Sequence, residues 1–237
     1  VLGFRIEAVS TGTLQIYSGS TWVAVTTGSS ILSSGGKLQW KAAQDATGLL
    51  NAFTVVAHDG TAASATAVQV KVDVSGVNDA PTIATAGDTT KTTAEDTAVA
   101  VALAIGADAD SADSLTYTVV TAPTSGALSG WSTNARAAGT VTYTPNANAN
   151  GSDSFTYKVC DNATVSLCSA NQTVSLTITA VNDTPTLTAV SNITGATEDT
   201  FKEILYADFL AAADEADVDG NPLSFRIEAV STGTLQI

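Results

Sequence analysis

The stretch TVSLTITAVNDTPTL, residues 173–187, sets a β-strand directly against a point where a sheet has to stop. Over Thr173–Thr179 the apolar Val174, Leu176 and Ile178 alternate with hydroxyl side chains, and a period of two puts all three on one face of a half-buried strand. Pro185 then fixes φ and removes a backbone donor, so a central strand cannot run through it. The same order of signals occurs in VQVKVDVSGVNDAPTI, residues 68–83. The heptads VNDAPTI (Val77–Ile83) and VNDTPTL (Val181–Leu187) therefore read as linkers, spaced by 181 − 77 = 104 along the chain.

Strand patterns continue on either side. Thr116–Val120, Val141–Thr144, Ser154–Val159, Ala52–Ala57 and Thr66–Val74 are short, rich in Val, Thr, Tyr and Phe, and bounded by Gly, Asn, Asp or Pro. The fold class this predicts is all-β, built of antiparallel sandwiches. One helical segment is predicted at Tyr206–Ala213, long enough for only a turn or two.

The chain also repeats itself. FRIEAVSTGTLQI stands at Phe4–Ile16 and again at Phe225–Ile237, offset by 225 − 4 = 221, which marks a tandem array. A unit of that length, cut by linkers spaced as above, holds two sandwiches, the first of length 104 and the second of length 221 − 104 = 117. The expected organisation is the later part of one domain at 1–76, a linker at 77–82, a complete sandwich at 83–180, a linker at 181–186 and the opening part of the next domain at 187–237. On this reading residues 1–76 lack their first strands and 187–237 their last, as in a window read from a longer chain.

Charge narrows the function. Lys and Arg number 9 against 23 Asp and Glu, a net charge of −14, which opposes binding to nucleic acid or anionic lipid. No apolar run is long enough to span a bilayer. The single histidine, His58, adjoins Asp59 at a strand end, where neighbours point to opposite faces and form no dyad. There is no G-x-S-x-G elbow, no zinc-type His/Cys spacing and no phosphate-cradling loop, so no enzyme is expected. Cys160 and Cys168 are placed to face each other across a hairpin; an exported chain would join them as a disulfide, the alternative being two buried thiols. Trp22, Trp40 and Trp131 are spread along the chain, and packing accounts for them more simply than a sugar-stacking platform.

The acids fall in register. Glu95-Asp96-Thr97 and Glu198-Asp199-Thr200 follow the linker asparagines Asn78 and Asn182 at nearly the same offset, 95 − 78 = 17 and 198 − 182 = 16. Asp108-Ala109-Asp110 and Asp217-Val218-Asp219 come next, and Asp59 and Asp161 end long strands. Carboxylates gathered at loop ends repel unless solvent or a cation separates them, and Ca²⁺ takes six to eight oxygen ligands of this kind. Asp and Asn also form turns through their own backbone, the reading given to Asn146, Asn148 and Asn150.

On these residues the chain resembles a known family. VVAHDGTAASATAVQVKVDVSGVNDAPTI (55–83) is similar to the closing half of a cadherin repeat, with its A-x-D-x-G turn and N-D-x-A-P linker. VNDAPT, EDT and D-x-D-G-x-x-L-S-F together resemble the bacterial cadherin-like and immunoglobulin-like tandem repeats of giant secreted, RTX-type adhesins and surface proteins. The resemblance implies immunoglobulin- or cadherin-like β-sandwiches, an extracellular place on a bacterial surface, and Ca²⁺ at the domain junctions. It implies one ligand set of Asn78 and Asp79 with Asp108, Asp110 and Asp161, and a second of Glu95, Asn182 and Asp183 with Asp217 and Asp219. Partners would be neighbouring repeats and like chains in an adhesive filament or biofilm; the alternative is a carbohydrate-binding or spacer module of a secreted polysaccharide-degrading enzyme. The chain departs from the animal pattern where an acid two before the linker Asn is replaced by Gly76 or Ala180, and where the mid-domain acidic motif is replaced by TPNANANGSDS.

Overall fold

Seven strands precede the first linker in the computed structural model, which describes residues 2–110, 112–232 and 234–235. They are β1 (Gly3–Val9), β2 (Thr13–Ser18), β3 (Thr21–Ala24), β4 (Ile31–Ser33), β5 (Leu38–Lys41), β6 (Gly48–His58) and β7 (Val68–Val74). They form two antiparallel sheets, β4-β1-β6-β7 and β3-β2-β5. Ile6, Leu14, Ala52 and Phe53 make the core between them, with Trp40, Val70 and Val72 packed at its margin.

Nine strands follow the linker: β8 (Thr82–Thr85), β9 (Thr90–Ala94), β10 (Val99–Leu103), β11 (Ile105–Ala107), β12 (Thr116–Thr121), β13 (Gly126–Ser129), β14 (Gly139–Pro145), β15 (Gly151–Cys160) and β16 (Gln172–Thr179). One sheet runs β12-β15-β16-β9 and the facing one β10-β14-β13, with β8 and β11 paired at the side. The alternation in β16 does what its pattern predicts: Val174, Leu176 and Ile178 are buried against Val101, Val141, Tyr143, Phe155 and Tyr157. Trp131 packs on Tyr117, Phe155 and Tyr157 with ring centroids 6.0–6.3 Å apart, so this tryptophan belongs to the core. One pair departs from the antiparallel expectation, because β9 lies parallel to β16, from Ser175↔Thr90 to Thr179↔Ala94. The second strand of the domain therefore lies beside its last and heads the same way.

The two long strands β6 and β15 are entered through the same backbone turn. Asp45 and Asn148 stand three residues ahead at φ 59° and 55°, and Gly48 and Gly151 begin the strands at φ 81° and 99°. Asp and Asn are the non-glycine residues that best tolerate this left-handed region.

From residue 187 on, none of the described residues is buried. Helix α1 spans Tyr206–Ala212, as the sequence predicts to within one residue, and two isolated bridges, Thr186↔Ala216 and Val190↔Ala213, pair the residues that follow it with the linker side. The repeated tridecapeptide behaves differently in its two places. At Phe4–Ile16 it forms β1 and most of β2, paired with β3–β6, all of which follow it in sequence. The described residues of its second occurrence form no strand; Gly233, Gln236 and Ile237 lie outside the described residues.

Candidate metal centres at the two linkers

The first linker is held from both sides by acids of the domain that follows it. Asn78 Nδ2 donates to Asp161 Oδ2 at 2.9 Å and to the Val165 carbonyl at 3.2 Å, while the Asp79 amide donates to Asp110 Oδ2 at 2.8 Å. Asp110 is itself fixed, its amide donating to Asp108 Oδ1 at 2.9 Å and its carbonyl accepting from Arg136 Nη2 at 3.0 Å. Asp108, Asp113 and Asp161 offer carboxylate oxygens within 4.8 Å of one another. Asp45 joins from the preceding domain, lining with Gly76, Asn78, Asp110, Asp113 and Ala163 a cleft of about 410 Å³.

Asp161 is the buried anchor of this set. Burial works against its ionisation, but the Asn78 side chain and the amides of Leu167 and Ala163 reverse the effect and hold its pKa below the usual carboxylate value. Those amides lie in the Asp161–Leu167 loop, which the Cys160–Cys168 disulfide closes, with Cα atoms 4.1 Å apart. Asp79 and Asp113 shift the other way. Desolvation first, then the charges of Asp45, Asp110 and Asp108 for Asp79, and of Asp110, Asp161 and Asp108 for Asp113, raise both; Arg136 partly opposes the rise at Asp113.

The second linker repeats the arrangement. The Asp183 amide donates to Asp219 Oδ2 at 2.6 Å, and the Asp219 amide to Asp217 Oδ1 at 2.9 Å, reproducing the Asp79, Asp110 and Asp108 links. Glu95, 3% exposed, accepts the Val181 amide on Oε1. Asn182 Oδ1 accepts from Asn221 Nδ2 at 3.0 Å. Asp183 is raised by desolvation, then by Asp219, Asp96, Glu95 and Asp217.

Each of the acids and amides singled out in the sequence as a ligand thus lies at one of the two linkers, in the two groups in which they were placed. Asp45 and Asp113 were missed. Asp45 could have been found by setting KLQWKAAQDATG beside VTYTPNANANG, where it aligns with Asn148; Asp113 sits in an extra residue between D-x-D and the next strand that DVDGNPL does not have.

The donor set suits a hard divalent cation. It is all oxygen, as Ca²⁺ requires. Among the described residues four carboxylate oxygens are buried with no hydrogen-bond partner, and three of them, Asp108 Oδ2, Glu95 Oε2 and Asp183 Oδ2, belong to these groups, which is costly for an anion unless a positive charge sits beside it. The strand-end acid Asp59 differs: its Oδ1 accepts the Thr61 and Ala62 amides, and His58 Nδ1 accepts the Gly60 amide, so these two side chains organise a turn.

Residues 78–179 match the model of the bacterial Ig domain family. No curated protein matches the sequence. Among solved structures, the chain is similar to extracellular cadherin domains 1–5 of protocadherin gamma B2, at 19% identity and a TM-score of 0.48, covering 76% of this chain and 34% of that one. Domains EC22–24 of mouse cadherin-23 match at 18% identity and a TM-score of 0.45, covering 75% and 53%. An endo-fucoidan hydrolase of glycoside hydrolase family 107 matches at 17% identity and a TM-score of 0.32, covering 76% and 24%. The chain spans between about a quarter and a half of the length of these proteins. The stretch 78–179, with its two facing sheets, is the part of the chain that the bacterial Ig domain family matches.

Proposed function

We propose that this chain is an extender segment of a long, repetitive extracellular protein displayed on a bacterial surface, and that Ca²⁺ at its linkers stiffens it. The observation that carries the reading is the recurrence of one acidic link at two linkers: Asp79 to Asp110 and Asp183 to Asp219, each second acid braced by the first acid of its D-x-D. Each of these links ties a linker to the domain that follows it, and at the first linker Asp45 of the preceding domain lines the same cleft. At the first linker Asp79, Asp108, Asp110, Asp113 and Asp161 would hold the ion, and at the second Glu95, Asp183, Asp217 and Asp219. The ion supplies positive charge that cancels their mutual repulsion and locks the linker between two domains. Arrays whose domains touch only their neighbours extend in one dimension, which suits projecting a binding tip or building a filament.

Small-angle scattering of the chain in Ca²⁺ and in chelator tests this. The expected result is a longer maximum dimension and a higher thermal midpoint with Ca²⁺. If chelation moves neither, the linkers carry no structural ion. A module for carbohydrate is the second reading, and the observation favouring it is the surface pair Tyr17 and Trp22, edge-to-face at 5.2 Å. Binding of a polysaccharide that is lost in Trp22→Ala would move the function from spacer to module.

A further inference from the structure

Arg136 sits beside the acidic group of the first linker, close enough for its charge to reach the Asp113 carboxyl, yet its guanidinium is committed to backbone. Nε donates to the Asp113 carbonyl at 2.9 Å and Nη2 to the Asp110 carbonyl at 3.0 Å. Among the described residues the ion pairs are Arg5–Glu7, Lys91–Asp88 and Arg226–Glu228, and Arg136 belongs to none of them. A planar guanidinium fork matches a carboxylate well, so a neighbouring acid is the partner that arginine usually takes. Here the fork grips the loop from its carbonyl side and takes no oxygen away from the carboxylates.

The neighbours of Arg136 dictate where that fork points. It lies between β13 and β14, directly after Ala135, which is fully buried with Leu115 and Val159. The Ala135 amide donates to the Leu115 carbonyl at 2.9 Å, and its carbonyl accepts the Gly106 amide at 2.7 Å. Gly106 belongs to β11, the strand that runs into Asp108. A Cβ at position 106 would lie 2.7 Å from Val159 Cγ1, so this close approach requires glycine. The Arg136 amide donates to Asn134 Oδ1 at 2.9 Å, which fixes the turn around it. The segment carrying the arginine and the strand delivering the first acid are thus pinned to each other.

Asp108, Asp113 and Asp161 bring carboxylate oxygens within 4.8 Å of one another, and Asp108 Oδ2 is buried with no hydrogen-bond partner. Like charges held this close push the loop apart unless something restrains it. We infer that Arg136 is a positioning residue of the first linker's cation site: by holding the Asp110 and Asp113 carbonyls from behind, it fixes the spacing at which the loop presents its carboxylates to Ca²⁺. The inference rests on reading this linker as an ion site. Groups that orient metal ligands without touching the metal govern affinity by about 10- to 100-fold. Lysine keeps the charge but is a single point with no fork, so it cannot hold two carbonyls in one fixed geometry.

The test is a Ca²⁺ titration of the whole chain by nuclear magnetic resonance, following the amides of Asp79 and Asp110 at the first linker and of Asp183 and Asp219 at the second. In Arg136→Lys and in Arg136→Ala the first-linker affinity is expected to fall about 10-fold, while the second-linker amides titrate as in the wild type and show that the variants are folded. If Arg136→Ala does not fold, Arg136→Lys decides alone. Unchanged first-linker binding in Arg136→Lys overturns the proposal and leaves the ion reading standing. Tighter binding in Arg136→Ala also overturns it, by making the guanidinium a competitor of the ion. Wild-type Asp79 and Asp110 amides that do not respond to Ca²⁺ overturn both the proposal and the ion reading of this linker.

Discussion

Asn78 Nδ2 lies 2.9 Å from Asp161 Oδ2, so the asparagine of the first linker is fastened to the end of the longest strand in the next domain. The linker is therefore held to the strands that follow it by a side-chain contact, and the chemistry around Asp161 becomes the place to perturb it.

Removing the disulfide should loosen that contact. In the double variant Cys160→Ser, Cys168→Ser the loop that presents the Leu167 and Ala163 amides to Asp161 is no longer closed, and closing a loop this short stabilises by about 2 to 3 kcal/mol. The expected outcome is a lower denaturation midpoint for the middle domain, read by calorimetry, with weaker Ca²⁺ protection at the first linker. An unchanged midpoint would show that pairing in β12-β15-β16 fixes the loop alone.

Leu176→Ala should cost about 3 kcal/mol, as expected when a fully packed leucine leaves a cavity. Leu176 is 2% exposed and sits in the cluster with Val101, Tyr143 and Phe155. Tyr143→Phe isolates a smaller effect. Its hydroxyl donates to Asp153 at 2.8 Å, and burial followed by this carboxylate pushes the phenol above its ordinary pKa. Losing the bond should cost about 1 kcal/mol, because Asp153 still accepts the Thr124, Ser125 and Ser154 amides. Urea titration at neutral pH checks both.

The metal-free chain should have a non-monotonic pH profile. Asp79, Asp113 and Asp183 have native pKa values above the unfolded value of 3.8. Their native forms take up protons first, so stability rises as pH falls through those raised values and the gain is complete below 3.8. Asp161 and Asp153 are lowered, so they stabilise above 3.8 and that contribution is lost as pH falls further. A maximum on the mildly acidic side of neutrality is expected in chelator. Saturating Ca²⁺ should erase the rise, since protons then compete with the ion. A profile identical with and without Ca²⁺ would refute the linkage.

Asp108→Asn separates repulsion from ion binding. Removing one charge from the group with Asp113 and Asp161 should raise the midpoint in chelator and shrink the further rise produced by Ca²⁺. A bound ion stabilises by about 2.7 kcal/mol at one hundred times its dissociation constant, so the wild-type response is large enough to measure. A variant that loses stability in both conditions would assign Asp108 a purely structural role through the Asp110 amide.

The long strands β6, β15 and β16 bury side chains and β7 half-buries them, and a period of two leaves a clear mark. The short strands β2–β5 were not separable, since few of their side chains reach the core. The direction of β9 was invisible in TKTTA, because a strand's pattern is the same whichever way its neighbour runs. The acidic groups were legible from the recurrence of N-D, E-D and D-x-D at fixed offsets. Asp45 was not, because its partner Asp79 stands beyond two further strands, β6 and β7, on the far side of the domain boundary.

The parallel pairing of β9 with β16 has a mechanical meaning. One strand lies near the point where the middle domain is entered and the other runs out of it, and they point the same way. Pulling the two ends of that domain apart slides these strands lengthwise past each other. All five registered pairs from Ser175↔Thr90 to Thr179↔Ala94 then bear load together, in shear, and none can peel open ahead of the rest. A tether built from such domains yields only when a whole ladder fails at once.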